Sequence, residues 1–386
     1  MLAGAQDLGD PGVTSSSGTF TPDWVPAFKQ DIHGMIIVSG DCHETVALKL
    51  EEIEEIFFLN TSEATIHEVI RIVGDVRPGA EKGHEHFGFL DGISQPAVQD
   101  VNTTPNPGQE TIPQGTTLLG RTGDVIDSTT KVTTRPAYAL DGSLLAFRYL
   151  FQLVPEFENF LTQNPIKGSP AADGSALLGA RLVGRWKSGA PIDVTPFQDN
   201  PTLGADPLQN NNFRYDFAND PTSPERCPFA AHTRKTNPRF DLEGPFGDNA
   251  VTPHRIIRRG IQFGPEVTAK EAKSNQTFFG RGLLFAAYQS NIVNGFQFIQ
   301  QSWADNFSFP PKPPPPTTLP ADTPGIDPII GQLSPIEKNP GSRSLQGTDP
   351  NNATGELALP INWVVPKGGE YFFSPSIPVL KSVFAL

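Results

Sequence analysis

The sequence predicts an α+β protein built from two domains, and three observations predict it. A strand–helix–strand pattern fills residues 34–73. Residues 101–136 are rich in Thr, Gly and Pro with few long apolar runs, and read as a connection. Beyond them apolar segments resume, and one reads as a strand running into an amphipathic helix. The expected division is residues 1–120 and residues 121–386. At 386 residues and 37% hydrophobic composition, the chain can bury one large core or two medium ones.

Taken in order, residues 1–30 are polar and turn-rich and read as an irregular arm. GMIIVSG (34–40) is a short apolar run, read as a strand. Asp41 suits a helix cap, and Glu44 stands three residues on, as in a capping box. Val46, Leu50, Ile53 and Phe57 recur at spacings of four, three and four, which predicts one face of a helix. ATIHEVIRIV (64–73) reads as a second strand and completes a β-α-β unit, the building block of a ferredoxin-like sheet. After the connection come LLAFRYLFQLVPEF (144–157), ARLVGRW (180–186) and GLLFAAYQSNIVNGFQFIQQSW (282–303), the last being the strand that runs into a helix. FPPKPPPPTTLP (309–320) reads as a polyproline II spacer. No repeat of fixed period is present, but each half carries strand–helix–strand units, which predicts two related sheets.

Composition excludes some functions. The net charge is -13 with a pI near 5.0 and no basic stripe, so no nucleic-acid partner is expected. No stretch reaches the roughly 18–20 apolar residues that cross a bilayer, and no membrane partner is expected. The 39 Pro and 36 Gly make up about a fifth of the chain, against about 12% in average usage. With 27 Phe beside them they predict a loop-rich but well-packed globule. Cys42 and Cys227 can form one bridge or none. The opening residues lack the basic and apolar regions of a signal peptide. Five N-x-[ST] sequons, at Asn60, Asn102, Asn275, Asn306 and Asn352, lean instead towards secretion.

Candidate chemistry begins at GHEHFGFLDGISQP (83–96), where Asp91 stands among apolar residues and glycines. A buried carboxylate is costly unless it is paired or kept for chemistry. His84 and His86 form H-x-H, which suits a metal or, with no further ligand nearby in sequence, hydrogen bonds within a loop. His232 lies in RCPFAAHTRKTNPR (226–239), where small apolar residues lead to a histidine followed by Arg234, Lys235 and Arg239. Such a histidine can meet a flat apolar cofactor while the cations hold its carboxylates. The bland alternative is a core histidine beside a solvated basic turn. In PHRIIRRGIQFGPE (253–266), Arg258 and Arg259 offer a partner that would keep Asp91 ionised. No serine-hydrolase elbow, phosphate-binding loop, dinucleotide fingerprint or Cys-x-x-Cys pair is present.

Read together and in this order, the segments resemble the dye-decolorizing peroxidases, specifically the fungal, long-loop kind. GFLDG (88–92) is similar to the family's G-x-x-D-G motif, RCPFAAHTRKTNPR to its haem-ligand segment and IIRRGIQFGPE to its distal-arginine segment. LDGSLLAFRYL (140–150), GRWKSGAP (184–191), RGLLFAAYQS (281–290), PGIDPIIGQ (324–332) and PKGGEYFF (366–373) fit as well. The resemblance implies two ferredoxin-like α+β domains with antiparallel sheets and one haem b between them. It implies His232 as the iron ligand, Asp91 as the distal acid–base group and Arg258 as the distal arginine, since Arg258 lies five residues before Phe263. Gly92 and Ser94 are expected at the cofactor, Leu283 and Phe285 over its distal face, Asp327 behind the proximal imidazole, and Arg234 on a propionate.

The implied reaction is reduction of hydrogen peroxide coupled to one-electron oxidation of dyes, phenols and related aromatic reductants, favoured at acidic pH. The alternative is a haem-binding or iron-releasing relative with little turnover. Phe263 stands where some relatives carry tyrosine, and Trp303 where some carry a surface tryptophan for electron transfer. The family is secreted. It also usually has an earlier strand–helix segment, so this chain is expected to be short at its N-terminus, with a first sheet lacking its opening strand.

Overall fold

The computed structural model describes residues 1–125, 134–168, 173–216, 224–247, 249–310, 324–333 and 343–385. Of the expected polyproline spacer at 309–320, residues 311–320 lie outside them.

The first 30 residues are a strap rather than an irregular arm. β1 (Gly12–Thr14) and β2 (Phe20–Pro22) form an antiparallel hairpin. Leu8, Trp24 and Phe28 on either side of it are buried, and the Val25 N–H donates to the Lys367 carbonyl at 2.9 Å. Apolar side chains spaced widely among polar ones are enough to seat a segment that has no periodicity.

The predicted helix forms as α1 (His43–Ile56). Val46, Leu50, Ile53 and Phe57 all fall among its partly covered residues, as their spacing requires. Its cap differs from the expectation: Cys42 is the N-cap and no capping box forms, while the Asp41 carboxylate accepts from the Thr45 hydroxyl at 2.9 Å.

The flanking strands do not form. Residues 34–40 and 64–73 have no strand assignment, so the predicted β-α-β unit is corrected to a lone helix between extended segments. Met35, Ile70 and Ile72 still pack onto a core cluster. Apolar side chains can be buried by side-chain packing alone, whereas a strand needs a partner backbone in register beside it.

The expected connection is tied down on both sides of residue 120. β3 (Ala97–Val98) and β4 (Thr111–Ile112) pair in parallel, Leu119 is buried, and the Thr116 carbonyl accepts from the Ser290 N–H at 3.0 Å. Then follow β5 (Ser143–Gln152), α2 (Val154–Gln163), α3 (Gly174–Val183), α4 (Pro201–Ala205), α5 (His232–Thr236), α6 (Phe240–Phe246), β6 (Ile257–Arg258), β7 (Ile261–Phe263), α7 (Ala269–Ser274) and β8 (Gly282–Gln289). β8 runs into π-helical turns at Val293–Gln297 and Ile299–Ala304, the strand-to-helix order that the sequence predicts. β9 (Ser344–Gln346), β10 (Glu356–Ala358) and β11 (Val364–Ser374) complete the strands among the described residues.

One five-stranded antiparallel sheet organises the molecule, in the order β11–β5–β8–β6, with β7 also pairing with β8. The other sheets among the described residues have two strands each, so the second large sheet expected from the first half is not present there. The fold is α+β and its main sheet is antiparallel, as expected, with β3 and β4 the one parallel pair among the described residues.

Register sorts the side chains of the main sheet. Leu150 pairs with Leu283, Arg148 with Phe285 and Ala287 with Arg258, so these share one face. Phe147, Tyr149, Phe151, Leu284 and Phe263 take the other face, where Trp24 and Phe28 cover them. The first face is a cavity wall.

Candidate active site

The apolar neighbours of Asp91 are anchors. Phe87 and Phe89 are buried in the main core, and Phe87 packs on Phe157 with ring centroids 4.5 Å apart. The Glu85 carboxylate accepts from the Phe87 and Phe89 N–H groups, each at 2.9 Å, and from the Gln152 amide. The Asp91 N–H donates to the Gly83 carbonyl at 3.0 Å, and the Leu90 N–H to the Lys187 carbonyl at 3.1 Å. Gly92 follows at φ +79°, a left-handed conformation that glycine adopts without strain. The loop is thereby rigid, and Asp91 is left facing the cavity.

Arg258 meets it there. Its Nη1 donates to Asp91 Oδ1 at 2.7 Å, and the Gly92 N–H donates to the same oxygen at 2.6 Å. Oδ2 has no hydrogen-bond partner among the described residues. Gln95 clasps the Arg258 backbone from both sides, its Oε1 accepting from the N–H and its Nε2 donating to the carbonyl, each at 3.1 Å. Between β6 and β7, Gly260 lies so close to β8 that a Cβ would stand 2.6 Å from the Leu284 carbonyl oxygen. The two short strands therefore sit either side of a kink that aims Arg258 inward, while Arg259 is exposed. Burial raises the Asp91 carboxyl, but the charge and hydrogen bonds of Arg258 and the Gly92 N–H outweigh it and hold Asp91 below the usual carboxylate range.

His232 opens α5 and lines the same cavity. Its Nδ1 is 2.9 Å from Asp327 Oδ2, and Asp327 is fully buried. Asp327 Oδ1 accepts from the Ile329 and Ile330 N–H groups at 2.8 and 3.0 Å, which fixes the carboxylate. Burial lowers the imidazole's proton affinity, and Asp327 more than restores it. With Nδ1 committed, Nε2 is the nitrogen left for a ligand.

Arg234 is a correction. Its guanidinium donates to both Asp241 oxygens at 2.7 Å and to the Cys227 carbonyl at 2.6 Å, and it is not among the cavity residues. Two residues along a helix turn a side chain to the opposite side, so Arg234 points away when His232 points in. Arg239 returns to the cavity, with Arg185 beside it. The two guanidinium carbons lie 4.1 and 5.3 Å from the Phe213 ring centroid. Arg185 donates to the Gly189 and Asn210 carbonyls, and Arg239 to the Asn211 carbonyl at 3.0 Å and its side-chain oxygen at 2.6 Å. Neither meets a carboxylate among the described residues, and burial lowers them to about 9 and about 10. A pair of buried, uncompensated cations wants an anion. Arg239 was legible as one of three cations after His232, but which of them faces inward depends on helix phase.

Leu283 and Phe285 line the cavity, as do Gly92 and Ser94. Ser94 bridges the walls, donating to the Asn211 side-chain oxygen at 2.7 Å and accepting from Arg185 at 3.0 Å. Trp303 is a second correction: it is 2% exposed, not a surface residue, and stacks on Phe309 with centroids 5.3 Å apart. His254, which the sequence reading left unassigned, lines the cavity and packs edge-on against Trp303. His86 Nε2 donates to the Phe263 carbonyl at 2.8 Å, a bond to β7 rather than within its own loop, and the buried His84 Nδ1 has no partner among the described residues, where no metal-type cluster occurs.

The donor set fits a haem: one free imidazole nitrogen, apolar walls, a carboxylate–guanidinium pair, and a second cationic pair for acidic substituents.

Known proteins share this architecture. A family model described as the DyP dimeric alpha+beta barrel domain matches residues 1–78. The dye-decolorizing peroxidase AauDyP1 of Auricularia auricula-judae is 46% identical over 366 residues, which cover 93% of this chain and 67% of that protein. The dye-decolorizing peroxidase msp1 of Mycetinis scorodonius is 45% identical over 403 residues, covering 100% of this chain and 71% of that one. Among solved structures, an ancestral D-type dye decolorizing peroxidase has a TM-score of 0.90 at 58% identity, covering 100% of this chain and 80% of that one. A mutant of the dye-decolorizing peroxidase from Pleurotus ostreatus has a TM-score of 0.91 at 50% identity, covering 99% of this chain and 78% of that one.

Proposed function

This chain belongs to the dye-decolorizing peroxidases, and from that premise we propose that it reduces hydrogen peroxide at one haem b, oxidising dyes, phenols and related aromatic reductants one electron at a time. Members of the family are haem enzymes. The reading rests on one observation: a carboxylate–guanidinium pair, Asp91 with Arg258 at 2.7 Å, faces the same cavity as an imidazole held through Nδ1 by a buried aspartate.

His232 would hold the group through Nε2, with Asp327 keeping the imidazole oriented and electron-rich. Arg239 and Arg185 would take its propionates. When bound, the haem supplies the iron that exchanges electrons with peroxide and with the reductant.

The protein's part is proton handling and exclusion. Asp91 Oδ2 is the open oxygen, and it takes a proton from the near oxygen of peroxide and gives it to the far one. Arg258 keeps Asp91 ionised and faces the charge that grows on the departing oxygen. Leu283 and Phe285 narrow the site and keep water out.

The test is the absorption spectrum and steady-state dye oxidation of the chain reconstituted with hemin. Binding with peroxide-dependent turnover is expected. A Soret band without turnover would favour a haem-binding relative, and a colourless protein would end the reading.

A further inference from the structure

Trp24 sits in an arrangement that the reaction above does not use. Its Nε1–H donates to Asp10 Oδ2 at 2.8 Å. The other Asp10 oxygen accepts from Arg148 Nη2 at 2.5 Å, and the Arg148 guanidinium carbon lies 5.7 Å from the Trp24 ring centroid. All three side chains are buried. Arg148 also lines the cavity, next to Phe285 across the β5–β8 ladder, so it stands between the indole and the candidate haem site.

Two of the other three tryptophans are held differently. Trp186 donates to the Thr195 carbonyl, and the Trp363 N–H is buried without an acceptor among the described residues. Among those residues, Trp24 is the tryptophan whose N–H meets a carboxylate.

That distinction has chemical weight. An indole that loses an electron becomes a strong N–H acid. A carboxylate in hydrogen-bond contact can take the proton, so the hole remains on a neutral ring and no positive charge is left on it in an apolar site. A backbone carbonyl cannot accept that proton at comparable cost.

We propose that Trp24, with Asp10 as its proton acceptor, is a redox-active site of this protein. The proposal rests on the peroxidase reading, which supplies the oxidant. One electron passes from the indole to the centre that peroxide has oxidised in the cavity, reducing it by one electron. The Nε1–H bond breaks and its proton forms an O–H bond on Asp10 Oδ2, leaving a neutral indolyl radical. Because Trp24 is 3% exposed, a reductant at the protein surface returns the electron through the intervening protein, and Asp10 returns the proton. Arg148 holds the carboxylate in place throughout and is a positioning residue.

The experiment uses the hemin-loaded full chain, mixed with one equivalent of hydrogen peroxide, freeze-quenched and read by electron paramagnetic resonance, with and without ring-deuterated tryptophan. A protein radical whose hyperfine structure collapses on deuteration is expected. Trp24→Phe, which keeps the Asp10–Arg148 pair, should lose that signal while retaining its Soret band, with a melting temperature lowered by the donor that Asp10 Oδ2 loses. Asp10→Asn should shift the spectrum from the neutral radical to the protonated cation, a change that a purely structural role would not cause. An unaltered radical in Trp24→Phe overturns the proposal, as does an unaltered spectrum in a folded Asp10→Asn protein. If Asp10→Asn does not fold, Trp24→Phe decides alone. Wild-type protein whose Soret band responds to peroxide without any tryptophan radical sinks this proposal only. A Soret band that ignores peroxide sinks the peroxidase reading and this one with it.

Discussion

Asp91 is held ionised by its neighbours against its own burial, and that balance sets the pH behaviour to expect. Burial alone would raise its carboxyl; the Arg258 guanidinium at 2.7 Å reverses the sign. A base with a depressed pKa stays active below the ordinary carboxylate range, so the acid limb of kcat/KM for peroxide should lie there. Arg258→Leu removes the compensating charge, and the limb should move to higher pH. A pH–rate series on the two proteins reads this directly, and an unmoved limb would break the assignment. Asp91→Asn cannot accept a proton and should lose about 10²–10⁴-fold in peroxide turnover, with the Soret band retained. Stopped-flow mixing with peroxide checks it, and a wild-type rate would remove Asp91 from the mechanism. These residues were legible because a carboxylate amid Phe and Leu is chemically conspicuous. Arg185 was not, because arginine within GRWKSGAP looks like any surface cation until its partners are seen to be carbonyls.

At the scale of elements, the register of β8 depends on what precedes it. Glu271 in α7 completes a capping box with Thr268, accepts from the Phe278 and Phe279 N–H groups at 2.8 and 3.1 Å, and pairs with Arg281 at 2.8 Å. Both members of the pair are fully buried. One carboxylate thus pins the turn from which β8 delivers Leu283 and Phe285. Glu271→Gln leaves Arg281 without its counterion and should cost about 3–5 kcal/mol, read from the urea midpoint. Burial raises this carboxyl, but the hydrogen bonds it accepts hold it far below the ordinary glutamate value. Its contribution is therefore present above about pH 4.3, the unfolded value, and is lost as pH falls through the folded one. The wild-type protein should lose stability over that acid window by more than Glu271→Gln does. A four-three-four spacing found α1 and the correct face of it, because helix contacts are local. The apolar runs at 34–40 and 64–73 have strand composition too, yet no ladder forms, because a ladder depends on a second backbone that composition does not specify.

Across the whole molecule, the site is assembled from segments far apart in the chain. Asp91 and Arg258 are 167 residues apart, and His232 and Asp327 are 95 apart. A ligand that bridges such segments stabilises the folded state by mass action. Free hemin at a hundred times its Kd should add about 2.7 kcal/mol and raise Tm by several degrees. His232→Ala should abolish most of that rise, and scanning calorimetry with and without hemin distinguishes the cases. A wild-type Tm indifferent to hemin would contradict the assignment of the cavity. The order of motifs, the face of α1, the strand-to-helix run after residue 282 and the candidacy of Asp91 and His232 were legible in neighbouring residues, whereas Asp327, and Arg258 over Arg259, came from the family resemblance alone. Only the tertiary structure decided that these four converge, that Arg239 rather than Arg234 faces the cavity, that Trp303 is buried, and that one large sheet forms among the described residues where two were expected. Those outcomes depend on helix phase and on backbone pairing across long loops, and neither is carried by any single stretch of residues.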